Sequence, residues 1–144
     1  MNSTVPPEEF WQGVEQFNRQ DFYACHDTLE ALWMEASEPD KRFYQGVLQT
    51  AVGCYHLGNL NWRGAVILLG EGIKRLRDYQ PTYEGIDVTQ LLEQSAELLQ
   101  ALQAIEPEQV GEFVKERSPH EASQDSNLSG ARLDYLPRIQ RVET

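Results

Sequence analysis

Cysteine is scarce in this chain, basic side chains are outnumbered, and long apolar runs are missing; each absence removes a class of function. Only Cys25 and Cys54 occur in 144 residues, too few for a disulfide framework, so they read as two small core residues in a reducing compartment. Lys and Arg total 12 against 23 Asp and Glu, a formal net charge of −11 with a pI near 4.6. A chain of that sign offers no cationic track to nucleic-acid phosphates or to an anionic membrane surface, and neither is expected as a partner. No apolar run approaches the ~20 residues of a membrane span, and Met1 to Phe10 lacks a cationic start followed by an apolar stretch, so a cytoplasmic protein is expected. Gly-rich phosphate loops, Gly-x-Ser-x-Gly, Cys-x-x-Cys, His-Glu-x-x-His and Glu-x-x-His are all missing, which leaves nucleotide hydrolysis and the di-iron helical sites without a signature.

What is present is helical periodicity, sustained for about 100 residues. Pro6-Pro7-Glu8-Glu9 suits a helix start, because proline costs no hydrogen bond in a first turn and acids favour the positive end of the dipole. The spacing of Phe10, Val14 and Phe17 then predicts a helix from Pro7 to Asn18. Asp21 is placed to cap a second helix to Ala36, with Phe22, Cys25, Leu29, Leu32 and Trp33 at helical spacing, before Glu38-Pro39-Asp40 breaks it. A third helix, Asp40 to Leu57, carries the widest apolar surface and is expected at the centre. Gly58 suits its C-terminal cap and Asn61 the next N-cap. A fourth helix, Trp62 to Tyr79, contains Gly64, Gly70 and Gly72, whose cost in a helix interior implies close packing. Its basic end, Lys74, Arg75 and Arg77, complements the helix dipole. After a connection over residues 80–85, Asp87 caps a fifth helix reaching Ile105. The fold expected is all-α: a compact bundle of about five helices arranged as antiparallel hairpins over residues 6–105. Residues 106–144 read as a partly disordered tail, polar and Ser-rich from Ser118 to Gly130, with a docking segment near Leu133 to Ile139. A shift of 40 residues superimposes the first two helices on the next two by hydrophobic position, similar to a stack of partner-binding hairpins.

Chemistry concentrates in two of these helices. His26 and Glu30 are four apart and Trp33 seven from His26, so the three share a side of the second helix. Phe22, His26, Leu29 and Trp33 follow a single stripe, which places His26 toward the core. On the third helix Gln45, Gln49, Val52 and His56 form a polar line beside the apolar one, and Tyr44 adjoins it. Three readings of these residues compete: a buried hydrogen-bond network that fixes helix register, a ligand pocket walled by Trp and Tyr rings, and a metal or acid–base site with His26 and Glu30 as candidate ligands. No cofactor is assigned by any of them.

The segments His26-Asp27-x-Leu29-Glu30-x-x-Trp33 and Phe43-Tyr44-Gln45-Gly46-Val47-Leu48-Gln49-x-Ala51, with Tyr55-His56, Gly64-Ala65 and Gly72-x-x-Arg75-Leu76 after them, resemble the domain of unknown function 309 family. The resemblance runs from Phe10 to Leu76. It implies a compact helical fold with shared polar positions at His26, Glu30, Trp33, Tyr44, Gln45 and Gln49, and brings no activity with it. Asp27 stands where members often carry Glu. The function expected is a non-catalytic ligand- or partner-binding domain with an interior His/Glu/Gln cluster. The alternative is a metal-assisted hydrolase or lyase centred on His26 and Glu30. Self-association is a further expectation, from Phe10, Trp11 and Trp62 at helix starts.

Overall fold

The computed structural model describes residues 5–117 and 134–142. The polar stretch from Ser118 to Gly130 lies outside the described residues. The fold is all-α: α1 (Glu8–Asn18), α2 (Phe22–Glu35), α3 (Asp40–Gly58), α4 (Trp62–Leu76), α5 (Val88–Gln103) and α6 (Val110–Arg117), with a two-stranded hairpin of β1 (Thr82–Tyr83) and β2 (Ile86–Asp87) between α4 and α5. No described helix is long and apolar enough to cross a membrane.

Consecutive helices from α1 to α5 pack side by side as hairpins, and α3 is the most buried of them. Its Phe43, Val47, Thr50, Ala51, Cys54 and Leu57 are all sealed from solvent. Against them α1 places Phe10 and Phe17, α2 Cys25 and Leu29, α4 Ala65 and Leu69, and α5 Leu91 and Leu102. The seam between α3 and α4 is close because glycines line it. A Cβ on Gly72 would overlap Thr50 Oγ1 and stand 2.9 Å from the Gly46 carbonyl, while one on Gly46 would meet Leu76 at 2.7 Å. The close packing implied by the glycines of the fourth helix is therefore real at Gly72, whereas Gly70 faces open space.

The ends of the helices refine the sequence reading. Asn61 and Asp87 cap α4 and α5 as expected, accepting from the amides of Gly64 and Gln90. Gly58 does not terminate α3: it stays helical, and Leu60 takes the left-handed conformation at φ +60°. The amide of Asn61 reaches the His56 carbonyl at 2.8 Å and that of Leu60 reaches Leu57 at 2.9 Å, a Schellman closure. α1 ends in the same way around Gln20, at φ +67°. Residues 80–85 are more ordered than a plain connection: Glu84 (φ +49°) and Gly85 (φ +81°) form a tight turn between β1 and β2. α6 adds a sixth helix beyond Ile105 and buries Val110 and Phe113.

Residues 134–142 return to the bundle as an extended strap. Leu136, Pro137 and Ile139 are buried, and the strap bridges the edge of β2 between Ile86 and Arg141.

Candidate functional site

On α3, at about 100° per residue, Gln45, Gln49, Val52 and His56 lie half a turn away from Phe43, Val47 and Cys54. They therefore occupy the side opposite the core, and all four are half-buried rather than sealed. α2 flanks this side with His26, Glu30 and Trp33, also half-buried. Lys41 ties the two helices together, donating to the Trp33 carbonyl at 2.7 Å with its ammonium 4.7 Å from the indole centroid. Tyr23 and Tyr55 meet at the far end, ring centroids 5.8 Å apart. α4 flanks the other side. A Cβ on Gly64 would touch the His56 ring, and Arg75, whose Cβ faces Gly46, pairs with Glu71 at 2.8 Å. The result is one face of three helices, polar in its chemistry but only partly open to water.

Two atoms on this face lack partners. Gln49 Oε1 and Arg75 Nε are shielded from solvent and hydrogen-bond to no described residue. A buried polar atom left unpaired costs about 1–3 kcal/mol. From sequence Arg75 reads as a helix-terminal cation; its place four residues after Glu71 is the available sign that it borders this face.

The structure redistributes the residues singled out from sequence. His26 is not on the core stripe: that stripe is Phe22, Cys25 and Leu29, and the His26 side chain keeps 35% of its exposure. Two stripes of helical spacing run through α2, and contact with α1 selects between them. Leu29 sits against Gly13, and Cys25 Sγ contacts the Gly13 carbonyl at 3.4 Å. His26 instead turns Nδ1 to Asp27 at 3.1 Å and stacks loosely on Tyr23. Glu30 and Trp33 share its side of α2, and Gln45, Gln49 and His56 share the neighbouring side of α3. Among the described residues no hydrogen bond joins the two groups. His56 contacts Asn61 Nδ2 at 3.4 Å. Tyr44 belongs elsewhere: it is buried in the aromatic core with Phe10 and Phe43, and burial drives its hydroxyl pKa up. Among the described residues no three His, Cys, Asp or Glu side chains converge as a metal site requires, so His26 and Glu30 supply at most two ligands.

Phe10, Trp11 and Trp62, the aromatics that suggested self-association, are used within the chain. Phe10 is fully buried, the Arg141 guanidinium covers Trp11 at 4.1 Å, and Trp62 Nε1 donates to the Leu102 carbonyl at 2.7 Å. Cys25 and Cys54 are both buried free thiols; burial pushes Cys25 up to about 12 and raises Cys54 as well, which leaves neither a nucleophile.

A second polar cluster carried no sequence signal. Tyr83 Oη donates to Asp40 Oδ1 at 2.5 Å, and Glu84 at the hairpin tip lies near the same carboxyl group. Desolvation, then repulsion from Asp40, lifts Glu84 to about 7. Asp40 and Glu84 are 44 positions apart in sequence, and only the hairpin brings them together.

A segment of 83 residues, 56% of this chain, is 35% identical to the uncharacterized protein YpuF of Bacillus subtilis (strain 168). The match takes in 48% of YpuF, so the chain spans about half the length of that relative. A family model described as a domain of unknown function, DUF309, matches residues 10–68, the span from α1 into α4 that contains His26, Glu30, Trp33, Gln45, Gln49 and His56. Over that span the chain is similar to the DUF309 family.

Proposed function

We propose that the outer face of α2, α3 and α4 is a non-catalytic binding surface for a protein partner or small ligand, contacted through His26, Glu30, Trp33, Gln45, Gln49 and His56. The observation that carries this reading is the pair of shielded, unpaired atoms, Gln49 Oε1 and Arg75 Nε. Polar groups kept at a cost to stability are characteristic of functional surfaces, where residues are retained for what the face does rather than for the fold. In this reading residues 6–105 form the domain that carries the face, residues 106–144 follow as its tail, and the two buried thiols suit a cytoplasmic setting.

Stability measurements separate the reading from its rivals. In a register-fixing network Gln49 would support the fold, and Gln49→Leu would lower the melting temperature. On a binding face the same substitution removes an unpaired acceptor, and a gain of about 1 kcal/mol, roughly 4 °C, is expected by thermal denaturation. A loss would overturn the proposal. The metal-assisted hydrolase or lyase reading predicts that one divalent metal stabilises the protein but not His26→Gln; we expect no such selective shift across a metal panel with a chelator control.

A further inference from the structure

The strap is held in a way that suits recognition of any chain of the right pattern. Its backbone is read by side-chain amides: Asn18 grips Ile139 from both sides, Nδ2 donating to the carbonyl and Oδ1 accepting from the amide, each at 2.8 Å. Gln94 Oε1 accepts from the Arg138 amide at 2.8 Å. The hairpin then pairs with the strap as a strand, Asp87 N to the Gln140 carbonyl at 2.8 Å and Val142 N to the Gly85 carbonyl at 2.9 Å. Main-chain bonds for affinity and pockets for spaced side chains, here Leu136 and Ile139, are the two components of strand-addition recognition.

Open clefts border the strap on both sides of its channel. Cavities of about 440, 270 and 430 Å³ run along it. The first opens beside Leu136 between Phe22, Tyr23 and Tyr55; the others flank Tyr135 and Ile139. Charge is complementary: the strap carries Arg138 and Arg141 in a chain of formal net charge −11, and Arg138 and Glu15 line the same cleft. Tyr135 packs its ring 6.1 Å from that of Phe113, one turn before the end of α6.

We propose that this channel is a peptide-binding site whose resident strap is an exchangeable occupant, and that it takes from another protein an extended, basic segment of the pattern Leu-Pro-x-Ile. In the free protein the strap competes for the site, so a trans ligand meets a reduced apparent affinity.

The test uses the full chain carrying Leu136→Asp and Ile139→Asp, which empties the channel without altering its walls, and a fluorescent peptide of residues 134–142 as the probe. Saturable binding is expected by anisotropy, with an apparent affinity at least tenfold higher for the variant than for the unmodified protein. The peptide carrying the same two Asp substitutions should not bind. Absence of saturable binding to a variant that still melts cooperatively would overturn the proposal, and so would equal binding to both proteins. Should the variant lose its cooperative melt, native-state hydrogen exchange on the unmodified chain decides. The amides of Ile139 and Val142 are expected to exchange at least tenfold faster than that of Val47, through local opening. Equal protection would mean that the strap leaves only when the domain unfolds.

Discussion

Glu84 holds two unfavourable positions at once. It sits at φ +49°, a conformation that costs a side chain with a Cβ about 1–2 kcal/mol, and its carboxyl group lies against Asp40 with Tyr83 and Tyr44 packed nearby. Its folded pKa of about 7 stands above its ordinary value of 4.5, so between those limits the native state holds more protons than the unfolded one. Stability conferred by this group is therefore fully present below pH 4.5 and is lost as pH rises through 7. The carboxyl is partly exposed, and solvent screening limits the effect to on the order of 1 kcal/mol. Glu84→Gln should flatten this part of the profile and be the more stable protein at pH 8, measured by urea denaturation at pH 5 and pH 8. Parallel profiles would show that the charge is accommodated elsewhere. Nothing in the sequence around Glu84 announces this: an acid in a Pro-Thr-Tyr-Glu-Gly connection reads as solvated until the hairpin carries it to the start of α3.

At the scale of elements, α4 contains a matched pair of glycines that should respond oppositely to the same change. Gly72→Ala would drive a Cβ into Thr50 and the Gly46 carbonyl, backbone that cannot move without separating α3 from α4, and a loss of about 1–3 kcal/mol is expected. Gly70→Ala meets no atom within 4 Å, and helix propensity predicts a gain approaching 1 kcal/mol. Denaturant midpoints of the two variants test the pair, and losses at both would place Gly70 in an unrecognised contact. Sequence spacing supplied helix spans correct to a few residues and the caps at Asn61 and Asp87, because those depend on local chemistry. It could not tell Gly70 from Gly72, since which side of a helix meets a neighbour is decided by tertiary packing. The same limit misplaced His26: the stripes through His26 and through Cys25 have equal spacing, and contact of Leu29 with Gly13 chooses between them. The closures at Gln20 and Leu60 were illegible for another reason, since neither residue is the glycine that marks a left-handed cap.

Across the whole molecule the features hardest to read from sequence are those that join its two ends. Asn18 and Ile139 are 121 positions apart and exchange two hydrogen bonds. Sequence periodicity marks the apolar residues near Ile139 as able to dock but says nothing of where, because an extended strap is read by backbone pairing rather than by a repeating face. The face that carries His26, Glu30, Gln45 and Gln49 was partly legible: the residues were identified and their two helices known to be neighbours. The missing element was rotation about each helix axis, which turned an expected interior cluster into an outer face. Charge acts at this scale too, and its consequence can be worked out. With 23 acids against 12 bases the folded chain concentrates like charge, while the ion pairs on it, such as Arg19 with Glu15, are mostly exposed and contribute little. Repulsion over the molecule should therefore outweigh attraction within pairs. Raising NaCl from 10 to 300 mM shortens the screening length from ~30 Å to under ~8 Å, which weakens the long-range repulsion first. A melting temperature that rises by a few degrees over this range is the expected outcome by calorimetry. A fall would mean that specific ion pairs contribute more to the folded state than net charge costs it.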